Sequence, residues 1–154
     1  MTRGQLMAIA GLGSAALLAG AFAFEYLGEL HPCKMCLWQR WPHGAAIILG
    51  LIGAVFAVRI VAFAGAAAAA ATAAIGGFHV GVEQGWWEGP ASCTGASVLD
   101  LDPKKALEAI LAAPVVRCDE VSWQFLGLSM PGWNMAISLA LMMLWLFAAT
   151  RRTA

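Results

Sequence analysis

Four cysteines stand in a chain of 154 residues, and they fall into two pairs. Cys33 and Cys36 form a Cys-Lys-Met-Cys unit, and Cys93 and Cys118 bracket a polar stretch further along. A Cys-x-x-Cys unit closes a small disulfide ring and cycles between dithiol and disulfide when one sulfur is activated. The same unit can be half of a zinc site, but that needs two more ligands, usually a second close pair, and Cys93 and Cys118 are 25 positions apart. We therefore expect no metal. Two structural staples are the other alternative, although a ring as small as Cys33–Cys36 gains little loop-closure entropy.

Arg40 lies four positions after Cys36. On a continuous helix the two share a face, with Cβ atoms about 5–6 Å apart. A guanidinium there favours a thiolate at Cys36 and can hold negative charge on an electron acceptor. An arginine snorkelling to lipid headgroups fits the position equally well, and Pro42 allows a kink or a later helix start.

The elements that must carry these residues are membrane spans. Hydrophobic residues make up 61% and charged residues 12%, against about 45–50% and about 25% in soluble domains. Nine basic and nine acidic residues cancel, so there is no broad cationic surface for nucleic acid. Hydropathy over windows of about 19 to 20 residues predicts spans at about 6–26, 42–58, 60–82 and 133–149. Runs this long satisfy their backbone as helices. The expected fold is an all-α membrane protein in one domain, a four-transmembrane-helix bundle with two outer loops at about 27–41 and 84–132. The first run could instead be a cleaved signal ending near Ala19-Gly20-Ala21, but it is longer than a signal core of about 7–15 residues.

Arg3, Arg59, Arg151 and Arg152 occupy the termini and the short second hairpin, where no acidic residue occurs; all nine acidic residues and all four cysteines fall on the opposite side. Lys34, Arg40, Lys104, Lys105 and Arg117 also stand on the cysteine side. The density of arginines on short segments, not their count, therefore makes the termini and the short hairpin the expected cytoplasmic side. Six of the seven tryptophans also lie near the cysteine face, as interfacial anchors do. The alanine run 66–71 reads as a helix face that lets neighbours approach.

In the second loop, turn residues on both sides of Cys93 make it a reachable thiol. A short amphipathic helix is expected from Asp102, with Pro103 in its first turn and Leu107, Ile110 and Leu111 on one face. The apolar stretch 121–130 is expected on the membrane surface, tethering Cys118. His79, near the outer end of the third span, is either a functional group lining a pocket or a buried histidine bonded to a carbonyl. Glu25, His31 and Glu83 read as residues facing the interface.

At these residues the chain resembles the DsbB family of membrane disulfide-generating proteins. The resemblance rests on four spans, Cys33 to Cys36 followed by Gln39-Arg40, the pair Cys93 and Cys118, and the stretch from Cys118-Asp-Glu-Val-Ser-Trp-Gln-Phe-Leu-Gly to Leu-Ser-Met-Pro-Gly-Trp133. Lys34 stands where that family often has an apolar residue. The resemblance implies a bacterial inner-membrane protein with cytoplasmic termini and periplasmic cysteine loops. It implies a thiol:quinone oxidoreductase in which Cys93 meets a reduced DsbA-like thioredoxin-fold partner and Cys118 is its disulfide companion. Cys33 would exchange with the loop, Cys36 would face ubiquinone or menaquinone, and Arg40, with His79, would hold the quinone. A vitamin K epoxide reductase-like enzyme also couples loop cysteines to a quinone, but there the Cys-x-x-Cys pair follows the loop cysteines. A non-enzymatic membrane protein with structural disulfides is the third reading.

Overall fold

A computed structural model describes residues 1–90 and 116–152. Its elements are α1 (Arg3–Tyr26), α2 (Lys34–Phe56), α3 (Arg59–Glu83), a hairpin of β1 (Gln124–Phe125) and β2 (Leu128–Ser129), and α4 (Met130–Thr150). Among the described residues, three of the four helices, α1, α3 and α4, are long and apolar enough to cross a membrane. Each helix packs against its chain neighbours and α4 returns to α1, which closes a four-helix bundle.

The interior is made of small residues and the outside of large apolar ones, as expected where lipid rather than water surrounds the helices. Ala10, Ala62, Ala66, Ala69 and Ala148 are buried with Met7 and Trp145, while Leu12, Leu51, Val55, Ile60, Phe63 and Met143 face outward. The alanine-rich face of α3 does what its composition predicts. Helices α1 and α2 come closest at Gly11 and Gly50: a Cβ on Gly50 would lie 2.8 Å from the Gly11 Cα.

Helix α2 starts ahead of its apolar run. Cys33 is its N-cap, and the Cys33 sulfur accepts from the Cys36 backbone N–H at 3.3 Å. The helix then continues across Pro42 without a break, so Cys36 and Arg40 do sit on one helix. The first outer connection is correspondingly shorter than the 27–41 loop expected.

The arginine end closes the opposite side of the bundle. Arg3 donates from Nη1 to the Ala57 carbonyl at 2.9 Å and from Nη2 to the Arg151 carbonyl; Arg59 Nε donates to the Ala149 carbonyl at 3.0 Å. These guanidiniums cap carbonyls that helix ends leave open. The α2–α3 turn is two residues long, and Ala57 takes a left-handed conformation (φ 51°) to make it.

A short helix from Asp102 and a surface-lying stretch at 121–130 were expected in the second loop. The helix lies outside the described residues, as does Cys93. The stretch 121–130 is not helical: Gln124 pairs with Ser129 and Phe125 with Leu128 around Leu126 and Gly127, both at positive φ. Two consecutive left-handed residues make the tight turn that matches strand twist. The hairpin is held to the bundle by Trp133 Nε1 donating to the Phe125 carbonyl at 3.0 Å and by Trp123 packing on Phe24 of α1 at 5.0 Å between ring centroids.

Candidate functional site

Three elements meet at the end opposite Arg3, Arg59 and Arg151, two of them carrying sulfur and α3 carrying His79. Cys33, at the start of α2, has its sulfur 3.1 Å from that of Cys36. Cys118, which is fully buried, comes from the segment ahead of the hairpin and packs in one cluster with Cys33, Met35 and Val82. The Cys33 and Cys118 sulfurs and a ring nitrogen of His79 lie within 4.8 Å of one another. Residues 85 positions apart in sequence are thus within a small approach of disulfide distance, which is about 2.05 Å.

The Cys33 thiol hydrogen-bonds to Cys36, and that contact with burial pushes its pKa up to about 12; the bond from His79 acts in the opposite direction. The proton of the pair therefore sits on Cys33 and any negative charge on Cys36. The start of a helix suits that charge, because backbone N–H groups there have no helical partners.

Arg40 does not turn to Cys36. Its Nη1 meets Glu25 Oε2 on α1 at 2.6 Å, and its guanidinium carbon lies 4.8 Å from the centre of the Phe22 ring. A carboxylate is a full counter-charge, and its approach from the neighbouring helix could not be read from spacing along α2. Glu25, expected merely to face the interface, is instead this arginine's partner. Arg40 Nε is buried with no hydrogen-bond partner among the described residues.

His79 is 2% exposed. Its Nε2 is 3.6 Å from the Cys33 sulfur and its Nδ1 is 3.2 Å from Gln39 Nε2; of the two expectations for this residue, the carbonyl bond is replaced by these contacts. Gln39 belongs to a buried polar network that sequence reading did not assemble. Asn134 Nδ2 donates to Gln39 Oε1 at 2.6 Å and to Thr72 Oγ1 at 3.1 Å, and His43 Nε2 is 2.8 Å from Asn134 Oδ1. The available signal was the occurrence of His43, Thr72 and Asn134 within otherwise apolar runs, where polar groups need partners.

These groups surround one cavity of about 450 Å³, within the range of small-molecule sites of about 300–1,000 Å³. Cys33, Cys36, Arg40 and His79 all line it, with Leu17, Phe24 and Ile137 among its apolar walls. Glu83 also lines it. His31 is exposed at the same cavity. Beside Cys118, Arg117 forks onto Asp119 at 3.0 and 2.6 Å and holds that carboxyl below the usual carboxylate range.

Sulfurs converging beside an apolar cavity in a helical bundle define a membrane thiol–disulfide protein. The family model for "Disulfide bond formation protein DsbB" matches residues 3–148, and the chain belongs to this family. It is 28% identical over 148 residues to disulfide bond formation protein B of Hahella chejuensis, covering 92% of this chain and 90% of that one. The protein of the same name from Marinobacter nauticus is 31% identical, with 99% and 95% covered, and that from Methylococcus capsulatus 35%, with 82% of each. No solved structure matches. The chain is a multi-pass membrane protein with an oxidoreductase role in disulfide bond formation.

Proposed function

We propose that this chain is a protein-dithiol:quinone oxidoreductase that draws electrons from a DsbA-like thioredoxin-fold partner and delivers them to ubiquinone or menaquinone. The observation that carries the reading is the meeting of Cys118 with Cys33 beside the cavity. The partner's thiolate attacks Cys93 of a Cys93–Cys118 disulfide, forming a mixed disulfide and releasing Cys118 as thiolate. Cys118 then attacks the Cys33 sulfur of a Cys33–Cys36 disulfide. The Cys33–Cys118 bond forms, the Cys33–Cys36 bond breaks, and the electron pair goes to Cys36. Each exchange is driven by relative reduction potential, about 1.4 kcal/mol for every ~30 mV.

A bound quinone supplies an acceptor for two electrons and two protons. The cavity fits such a group, since its walls are mostly apolar and quinone carbonyls need donors, which Arg40 Nε can provide. Arg40 would hold the quinone with Glu25 behind it, and His79 would line the same cavity. Helix α2 would be the fourth crossing, its polar first turns lying at the outer boundary. With Arg3, Arg59 and Arg151 at the other end, the positive-inside rule puts the termini in the cytoplasm and the cysteines in the periplasm of a bacterial inner membrane.

The test is full-length protein in nanodiscs with a reduced thioredoxin-fold oxidase and a soluble ubiquinone analogue, following quinol formation. Cys36→Ser and Cys118→Ser should each abolish it. A protein with purely structural cysteines would show no quinol in wild type, and equal rates in wild type and Cys36→Ser would end the proposal.

A further inference from the structure

The polar network around Gln39 has a direction. Backbone carbonyls only accept, so the Asn134 atom 3.5 Å from the Thr72 carbonyl is its amide nitrogen. Asn134 Oδ1 then faces His43 Nε2, which must donate. The Thr72 hydroxyl, 3.2 Å from both His43 Nε2 and the Gln39 carbonyl, gives its proton to the carbonyl. Thr72 Oγ1 is then an acceptor for the Asn134 amide nitrogen, which also donates to Gln39 Oε1. Asn134 Oδ1 also accepts from Ser138 Oγ at 3.4 Å. At the other end the Met35 carbonyl, 3.2 Å away, requires that the Gln39 atom facing it be the amide nitrogen. Both ends of the Gln39 amide are thereby assigned.

That nitrogen is also the atom facing His79 Nδ1. An N–H pointing at Nδ1 demands a lone pair there, so the neutral ring carries its proton on Nε2, the nitrogen facing Cys33. We propose that Gln39 is a positioning residue: it holds His79 in the Nε2–H tautomer, so that the imidazole donates to the Cys33 sulfur instead of accepting from it.

Two consequences follow. When a thiolate attacks Cys118 of a Cys33–Cys118 disulfide, the new bond forms at Cys118, the old one breaks, and the electron pair stays on Cys33. His79 Nε2–H then stabilises that leaving sulfur, a consequence that rests on the proposed relay. The second concerns metals. Two sulfurs and a ring nitrogen within 4.8 Å form a soft-metal donor set, but coordination needs a lone pair on Nε2. Metal-bound histidines ordinarily donate their other N–H to an acceptor, and Gln39 presents a donor in that place. Gln39 therefore keeps the cluster available for sulfur exchange.

The assignment is read without turnover. In full-length reduced protein with ¹⁵N-labelled histidine, resonances being assigned with His79→Asn, wild type should show a protonated Nε2 and an unprotonated Nδ1. Gln39→Glu, whose carboxylate accepts from Nδ1–H, should reverse the two. Titrated with Co²⁺ alone, Gln39→Glu should bind at least about tenfold more tightly than wild type, within the range by which outer partners tune metal affinity. Its thiolate-to-cobalt absorption should vanish with Cys118→Ser added. A protonated Nδ1 in wild type, unchanged nitrogen shifts in Gln39→Glu, or Co²⁺ bound equally by both proteins would each overturn the proposal. Failure of the quinol assay with the expected tautomer present would count against the relay alone.

Discussion

Limited alkylation of the reduced protein at pH 7.5 should mark Cys36 and spare Cys33. The Cys33 thiol, bonded to Cys36 and buried, has its pKa pushed up to about 12. An ordinary thiol near 8.5 is about one-tenth thiolate at that pH, whereas a group at about 12 is ionised in roughly one molecule in 10⁴ to 10⁵. Since the thiolate is the nucleophile, Cys33 should react about three orders of magnitude more slowly than a free thiol. Cys36 lines the same cavity and is less buried, so reagent access does not favour Cys33. The assay is substoichiometric iodoacetamide followed by peptide mass spectrometry. Cys36→Ala removes the largest cause of the Cys33 shift and should raise Cys33 labelling at least about tenfold, a change of 1.4 kcal/mol. Labelling of Cys33 at or above the rate of Cys36 in wild type would refute the assignment of the shared proton.

The same group sets a pH dependence: the unfolded chain gives up the Cys33 proton near 8.5 and the folded one only near 12. Its contribution is complete below the first value and lost as pH rises to the second, so unfolding midpoints of reduced wild type should fall faster across that window than those of Cys33→Ser. Gly50→Val should force α1 and α2 apart and cost about 1–3 kcal/mol in unfolding experiments, because the new Cβ meets the Gly11 backbone at 2.8 Å. Gly44→Ala, with nothing within 4 Å of the added carbon, should be neutral or stabilising. Ala57→Gly should stabilise by about 1 kcal/mol by relieving a left-handed residue. In a double-mutant cycle, Glu25→Gln and Arg40→Gln should couple by about 0.5–3 kcal/mol, and additivity would show the 2.6 Å contact to be energetically empty.

Much of this protein can be read along the chain. The two cysteine pairs, the apolar runs and the segregation of terminal arginines from carboxylates are local properties of residue type and order, and they point to helices, membrane and sulfur chemistry. Their legibility has a physical basis: a helix must bury about 20 consecutive residues to span a bilayer, and sulfur reactivity belongs to the side chain itself. The 121–130 stretch shows the limit. Its apolar residues suggested a surface-lying segment, but they did not give its backbone form, which Leu126 and Gly127 make a hairpin.

What no spacing along the chain could reveal is which groups face one another across the bundle. Arg40 was legible as a cation near Cys36, but its carboxylate comes from α1. His79 was legible as an ionisable residue in a span, but its tautomer follows from Gln39 on α2 and from Asn134 on α4, which orients that amide. Buried polar groups take whatever partner the rotation and register of neighbouring helices supply. Those are set by the packing of small residues such as Gly11 against Gly50, so the donors and acceptors around the sulfurs are decided only once the helices have come together.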